Sequence, residues 1–140
     1  MSIQVQYNCS NVNWNDVIEI LKTVGMSYCD SEIHKISFEN SHTVIFVFDD
    51  DKLIGFGRAI SDGVRQAAIY DVAIDPEYQG KGIGRLILNG IKEKLSECNF
   101  ILYAAPGKEQ FYEKIGFGKL KTGMGLFSDM TRMKDRGFIK

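Results

Sequence analysis

Long hydrophobic runs are absent from this sequence. An apolar run such as residues 44–48 is far short of the roughly 20 apolar residues that a membrane-spanning helix needs. The first residues alternate polar and apolar side chains, and none of them forms the apolar segment of a secretory signal. We therefore expect no membrane partner and, by default, a cytoplasmic location.

Cysteine and histidine are scarce as well. The cysteines are Cys9, Cys29 and Cys98, and the histidines are His34 and His42. No two cysteines form a C-x-x-C pair, and the five residues do not make a ligand set typical of zinc. We predict that the protein binds no metal and that its thiols are reduced.

Neither sign of charge is in excess. The sequence has 17 Lys and Arg against 18 Asp and Glu, a net charge of −1, which gives no attraction to a polyanion. We therefore expect no nucleic-acid partner. Its 140 residues, 44% of them hydrophobic, are enough for one domain, residues 1–140, with a full core.

Hydrophobic periodicity predicts an alternation of strands and helices. The expected strands are residues 3–7, 43–48, 53–60, 67–74 and 99–104, and the expected helices are 13–24, 31–38, 83–95 and 107–115. The second helix should bury Ile33, Ile36 and Ser37. A closing hairpin is expected at 117–127, followed by an irregular tail over 132–140.

The expected elements define the fold class. Strands 67–74 and 99–104 flank a helix, and a strand–helix–strand unit of this length favours parallel pairing with a right-handed crossover. The earlier strands follow one another through short turns, which favours antiparallel pairing. We predict an α+β, or mixed α/β, single domain: a mostly antiparallel twisted sheet with a central β-α-β unit and flanking helices.

Residues 79–84, QGKGIG, lie between an expected strand and an expected helix. The first turn of a helix has N–H groups without partners inside the helix, and glycines let an anion approach them closely. Lys81 and Arg85 add positive charge beside the same turn. The turn is a candidate pyrophosphate site, although a glycine-rich turn can also be only a tight connection.

Two nucleotide motifs do not fit these glycines. The spacing G-x-G-x-G is not the dinucleotide G-x-G-x-x-G, and no Gly-Lys-Ser/Thr of a P-loop occurs. The stretch AIYDVAIDPEYQGKGIGRLIL, residues 68–88, instead resembles the acetyl-CoA signature Q-x-x-G-x-G of the GNAT superfamily of N-acetyltransferases. The stretch FYEKIGF, residues 111–117, is similar to the family's second landmark. The strong resemblance covers about residues 54–117.

The resemblance implies a GNAT fold, acetyl-CoA as cosubstrate, and acetyl transfer to a primary amine by direct attack in a ternary complex. The short loops favour an amine of a small molecule. Two alternatives stay open: acetylation of a protein or peptide, and a non-catalytic CoA-binding sensor. The residues expected to bind the cosubstrate are Val72, Ala73, Ile74, Gln79, Gly80, Lys81, Gly82, Ile83, Gly84, Arg85, Ala105 and Tyr112. A backbone N–H of Ala73 or Ile74 is expected to hold the thioester oxygen as it gains negative charge.

Two residues are candidates for proton transfer. Tyr112 occupies the family's tyrosine position and stays protonated at neutral pH, so it can donate to the departing sulfur; it can also be an aromatic packing residue. Asp71 lies mid-strand, where a carboxylate is costly to bury unless it is paired or catalytic. It acts as the base, directly or through water, or it forms an ion pair with Arg58 on the next strand.

The acceptor side is the least defined part of the sequence. The segments 26–31 and 124–127 are expected to wall the amine, with Tyr28 and Phe127 as candidate contacts. The residues do not identify the amine. A homodimer through the edge of the closing hairpin stays open.

Overall fold

The computed structural model describes every residue, 1–140. The chain divides into two compact units, Met1–Leu102 and Tyr103–Lys140, here called the N-terminal and C-terminal units. The N-terminal unit contains, in order, β1 (Ile3–Gln6), α1 (Trp14–Thr23), α2 (Ser31–Glu39), β2 (Thr43–Asp49), β3 (Lys52–Ser61), β4 (Gln66–Ile74), a 3-10 turn (Pro76–Tyr78), α3 (Ile83–Lys94) and β5 (Asn99–Ile101). None of the helices combines the length and apolar character that a bilayer crossing requires.

The five strands form one mixed sheet in the order β1-β2-β3-β4-β5. Neighbours from β1 to β4 pair antiparallel, and β5 pairs parallel to β4 after the crossover through α3. A mixed sheet with one β-α-β unit and flanking helices confirms the predicted fold class.

One face of the sheet packs against α1 and α2. Val17 and Leu21 of α1 are fully buried there, beside an aromatic cluster of Phe38, Phe46 and Phe56 with ring centroids 5.3 to 6.4 Å apart. Such rings contribute packing beyond the area that they bury. Of the two asparagines that the sequence offers as caps, 13 and 15, Asn13 is the N-cap of α1, and its side chain accepts a hydrogen bond from the N–H of Asn15.

The other face of the sheet packs closely against α3. A Cβ atom at Gly57 would lie 2.9 Å from Cγ2 of Ile87, so only glycine lets the helix approach β3 at this distance. Ile83, Ile87 and Ile91 are buried along the helix. This contact fixes α3 on the sheet directly after β4.

The predicted buried face of α2 is wrong. Ile33 and Ile36 are about half exposed, at 50% and 48%, while His34 and Phe38 are buried. Phe38 joins the aromatic cluster, which sets the rotation of the helix and carries His34, four residues earlier, to the same inner face. A polar ring thus occupies a position that the pattern assigned to isoleucine.

The C-terminal unit contains only two short helices, α4 (Glu109–Glu113) and α5 (Met130–Asp135). The predicted hairpin at 117–127 is wrong, because no strand forms there. Gly118, Gly123 and Gly125 interrupt that segment, and glycine disfavours a strand through its entropy and its missing side chain. The hairpin edge through which a homodimer was left open is therefore not formed.

Two further predictions of this region need correction. Strand β5 ends at Ile101, three residues before the predicted end. The irregular tail expected over 132–140 is partly helical, because α5 covers Met130–Asp135. Asp129 is the N-cap of this helix, and its carboxylate accepts a hydrogen bond from the N–H of Arg132 at 2.9 Å. That capping aspartate was the signal that the analysis of periodicity missed.

Candidate active site

The turn before α3 leaves backbone N–H groups uncovered. Gly82 is the N-cap of α3 and offers no side chain, so the amides of Ile83, Gly84 and Arg85 in the first turn have no acceptor within the protein. The backbone φ angles of Gly80 and Gly82 are 77° and 85°, and nothing lies within 4 Å of a Cβ built on either residue. The turn therefore leaves a set of donors without acceptors at the positive end of a helix dipole.

Two cations border these amides. Lys81 and Arg85 are exposed, and neither forms a salt bridge within the protein. The Nζ atom of Lys81 lies 5.5 Å from the centroid of the Tyr78 ring. Uncovered amides, absent side chains and unpaired positive charge together fit a diphosphate group such as that of acetyl-CoA.

The turn is anchored to the sheet by contacts that sequence analysis missed. The hydroxyl of Tyr78 donates to Oδ2 of Asp49 at 2.7 Å, and Oδ1 of Asp49 accepts a hydrogen bond from the N–H of Ser2 at 2.9 Å. The bond to Asp49 raises the pKa of Tyr78 to about 12, and the same bond lowers the pKa of Asp49. The two residues are 29 positions apart, so no local pattern points to the pair.

Gln79 holds the turn to the preceding strand. Its Nε2 donates to the carbonyl oxygen of Ile74 at 3.0 Å. The side chain predicted to bind cosubstrate is therefore engaged with the end of β4, at the entrance to the turn.

Strand β4 has one open edge over its second half. Its pairing with β5 stops at Ala68 and Ile101, while β4 continues to Ile74. Residues 69–74 therefore have β3 on one side and no strand on the other. An extended, amide-containing ligand can hydrogen-bond to such an edge as an added strand.

The register with β3 decides which amide faces the open edge. Asp75 donates its N–H to Ile54 at 2.8 Å, and hydrogen-bonded pairs alternate along an antiparallel ladder. Ala73, opposite Phe56, is thus bonded to β3, whereas Ile74, opposite Gly55, is directed away from it. The bond from Gln79 to the Ile74 carbonyl agrees with this orientation. Of the two predicted donors, the N–H of Ile74 is the one on the open edge.

Asp71 lies at a bulge in β4. The register shifts between Phe56 and Arg58 of β3, and Asp71 has a backbone φ of 56°, in the left-handed region. Its Oδ2 accepts a hydrogen bond from Nε of Arg58 at 2.7 Å, and Oδ1 has no partner within the protein. The ion pair that sequence analysis gave as one alternative is present. It leaves one carboxylate oxygen available, and the role of Asp71 as a base stays a prediction.

Arg58 is itself held from three directions. Its Nη1 donates to Oγ of Ser41 at 3.2 Å, and its guanidinium carbon lies 5.7 and 5.4 Å from the ring centroids of Phe38 and Tyr70. An arginine that contacts two aromatic rings and donates a hydrogen bond keeps its orientation. Asp71 is therefore oriented by a fixed partner.

The connection between α1 and α2, residues 24–30, carries the predicted contact Tyr28. The Tyr28 side chain is about half exposed, and Nζ of Lys22 lies 5.5 Å from its ring centroid. One residue later, the N–H of Cys29 donates to Nε2 of His34 at 2.8 Å. Burial lowers the pKa of His34 from its ordinary 6.5, while the charges of Asp71 and Arg58 act on it in opposite directions. His34 is the polar residue of this region that sequence reasoning missed.

The C-terminal unit contains the other predicted site residues. Tyr112 lies in α4, with its ring centroid 5.0 Å from that of Phe111 and 5.9 Å from that of Phe117. Burial raises the pKa of its phenol, and the hydroxyl forms no hydrogen bond within the protein. The carbonyl of Ala105 accepts a bond from Lys108 at 2.9 Å, and Phe127 packs edge-on against Tyr103.

No three or more His, Cys, Asp or Glu side chains come together as a metal site.

Comparisons with known proteins point to one family. Residues 15–124 match the family "Acetyltransferase (GNAT) domain". The uncharacterized N-acetyltransferase ycf52 of Pyropia yezoensis is 32% identical over 84% of this chain and 72% of its own length, and a ycf52-like protein of Prochlorococcus marinus is 37% identical over 81% and 69%. A crystal structure of a probable acetyltransferase from meticillin-resistant Staphylococcus aureus superposes with a TM-score of 0.79, at 26% identity, over 91% of this chain and 98% of that one.

Proposed function

The chain belongs to the GNAT acetyltransferase family, and from that premise we propose that it acetylates a primary amine of a small molecule with acetyl-CoA, by direct attack in a ternary complex. The observation that carries the proposal is the uncovered first turn of α3 beside the open edge of β4. The first turn of α3 suits a diphosphate, and the open edge of β4 suits an extended thioester arm.

Cosubstrate binding is assigned to a continuous stretch of the chain. The amides of Ile83, Gly84 and Arg85 and the side chains of Lys81 and Arg85 bind the diphosphate. Val72 and Ile74 bind the extended arm through the main chain. When bound, acetyl-CoA supplies an activated acetyl group, and the N–H of Ile74 stabilises the negative charge that develops on its carbonyl oxygen. One such donor contributes about 3 kcal/mol to transition-state stabilisation.

Proton transfer is assigned to two side chains. Oδ1 of Asp71, the oxygen without a protein partner, hydrogen-bonds to the amine and accepts its proton, directly or through water. The phenol of Tyr112 donates a proton to the departing sulfur, because burial keeps its neutral form at physiological pH. Tyr28 and Phe127 border the acceptor in this proposal.

The proposal is tested by following thiol release from acetyl-CoA with a panel of small primary amines, and with peptides bearing a lysine or a free N-terminus as the second arm. We expect saturable, amine-dependent release that is faster with at least one small amine than with any peptide. Faster thiol release with a peptide than with any small amine would indicate protein acetylation instead. Tight binding of acetyl-CoA with no turnover in either arm would favour a sensor.

A further inference from the structure

A buried histidine holds the connection that precedes α2. His34 is 6% exposed, and its Nε2 accepts the N–H of Cys29 at 2.8 Å. A backbone N–H can donate only to a ring nitrogen that carries no proton, so the proton lies on Nδ1 and the ring is neutral. Asp30, the N-cap of α2, makes no side-chain capping hydrogen bond. The ring of His34 therefore stabilises this connection where the cap residue does not.

The same ring lies within electrostatic reach of the proposed acceptor end of the site. The charged groups that act on it are Asp71 of β4 and Arg58 of β3. Phe38, one helical turn after His34, packs against the guanidinium of Arg58. His34 thus joins residues 24–30, on which Tyr28 lies, to α2, whose Phe38 packs against Arg58 of the ion pair.

We infer that His34 is a positioning residue for the acceptor amine: through the bond from Cys29 it fixes residues 24–30 beside Arg58 and Asp71. This inference rests on the proposed function, in which the amine binds at Asp71. His34 does not touch the reacting atoms, because its Nε2 is engaged with the backbone.

The inference has a defined pH dependence. Protonation of the ring removes the lone pair that accepts the Cys29 N–H and adds a cation near Arg58, so the connection loses its hold in acid. Since burial lowers the pKa of His34 below 6.5, the neutral, holding form prevails at neutral pH and is lost as the pH falls through that lowered value. Cys29 contributes only its backbone to this contact.

Two substitutions separate the effect of the hydrogen bond from Cys29 from the effect of burying a side chain at position 34. In His34→Gln the side-chain amide oxygen can still accept the Cys29 N–H, but it does not titrate; His34→Leu fills similar volume without an acceptor. We expect His34→Leu to raise the KM for the amine about fivefold or more, the size expected of one hydrogen bond, with the Kd for acetyl-CoA unchanged. His34→Gln should keep the wild-type KM at about pH 8.

The pH profile distinguishes positioning from simple packing. Protonation of the amine itself raises the apparent KM in acid in both proteins. The amine KM of the wild type divided by that of His34→Gln at each pH therefore reports the effect of protonating the ring alone. We expect that KM ratio to rise as the pH falls below 6.5 and through the lowered pKa of His34. A constant ratio, or a His34→Leu variant with unchanged amine KM, would overturn the inference.

A substrate-free measurement keeps this test distinct from that of the proposed function. Nitrogen-15 NMR of the wild-type ring should show the proton on Nδ1, and hydrogen exchange at the Cys29 amide should be slower in the wild type than in His34→Leu. If these signatures hold but no amine is acetylated, the proposed function fails and the contact stands. If the proton is found on Nε2, the inference fails whatever the activity.

Discussion

Asp71 combines a left-handed backbone, a bulge and a paired carboxylate in one residue. Its φ of 56° is uncommon for a residue other than glycine, although aspartate tolerates it better than most. Such backbone conformations persist where the surrounding structure enforces them, and they cluster at functional sites. The bulge turns Asp71 toward Arg58, which is consistent with the role assigned to its free oxygen.

The hydroxyl oxygen of Tyr112 distinguishes the two roles that the sequence allows for this residue, proton donor and aromatic packing residue. Tyr112→Phe keeps the ring beside Phe111 and Phe117 and removes only the hydroxyl. We expect kcat to fall about 100-fold, because the departing thiolate loses its proton donor. The measurement is steady-state thiol release, with the Kd for acetyl-CoA and the Tm as controls. Wild-type turnover in this variant would assign Tyr112 to packing alone.

Sequence reasoning at this scale succeeded where a residue acts through its own backbone and failed where it acts through a distant partner. Glycine at positions 80 and 82 indicates left-handed backbone directly, and the structure has it. His34 gives no such signal. Its burial follows from the rotation of α2, which depends on Phe38 entering the aromatic cluster, a property of the packed core.

The helix α3 is the element that defines the site. Gly57 admits it close to β3, and the buried isoleucines hold it on the sheet. Its first turn therefore begins where β4 ends, after a turn that Tyr78 ties to Asp49. The helix and its turn were predictable from sequence, because glycine spacing and a 3.6-residue stripe are local. The anchor through Asp49 was not, because it joins separate elements.

The uncovered amides of α3 give a test at the scale of the element. Gly82→Asp adds a Cβ and a negative charge beside them, at a backbone φ of 85°. We expect the Kd for acetyl-CoA, measured by titration calorimetry, to rise about tenfold or more, because the carboxylate caps the helix and repels the diphosphate.

Gly25→Asp is the matched control for this substitution. Gly25 has a similar φ of 78° with open space around it, so its substitution has the same kind of backbone strain away from α3. Acetyl-CoA affinity should survive in the control. Equal affinity in Gly82→Asp and the wild type would remove the first turn of α3 from the binding site.

The sheet shows how far strand prediction reaches. Strands β2 to β4 were predictable because each is a run rich in β-branched and aromatic residues that short turns separate from the next. The closing hairpin was not formed, although Thr122-Gly123 is a reasonable turn. A hairpin needs packing on at least one face, and Leu120, Met124 and Leu126 remain 61%, 98% and 93% exposed.

At the scale of the whole molecule, composition gives expectations about partners and location. The absence of polyanion and membrane partners, expected from a charge of −1 and the lack of long apolar runs, stays a prediction, and so does a cytoplasmic location. The two compact units each have their own contacts. We propose that they act as the single domain expected for 140 residues.

That proposal is tested by thermal unfolding. We expect one cooperative transition, and we expect acetyl-CoA at about 100 times its Kd to add about 2.7 kcal/mol to the free energy of unfolding and so raise the Tm by several degrees. Differential scanning calorimetry with and without acetyl-CoA measures both. The Gly82→Asp variant should show a much smaller shift. Two resolved transitions would show instead that the units unfold separately.

The amino-acid sequence alone determined the family, the order of strands and helices in the N-terminal unit and the position of the glycine-rich turn before α3, because each depends on neighbours within a few residues. Only the tertiary structure decided which β4 amide faces the open edge, that Asp71 is paired with Arg58, and that His34 holds the connection before α2. Strand register and helix rotation set those contacts. Both are outcomes of packing the whole core, so residues 13 and 29 positions apart can meet without leaving a local trace in the chain.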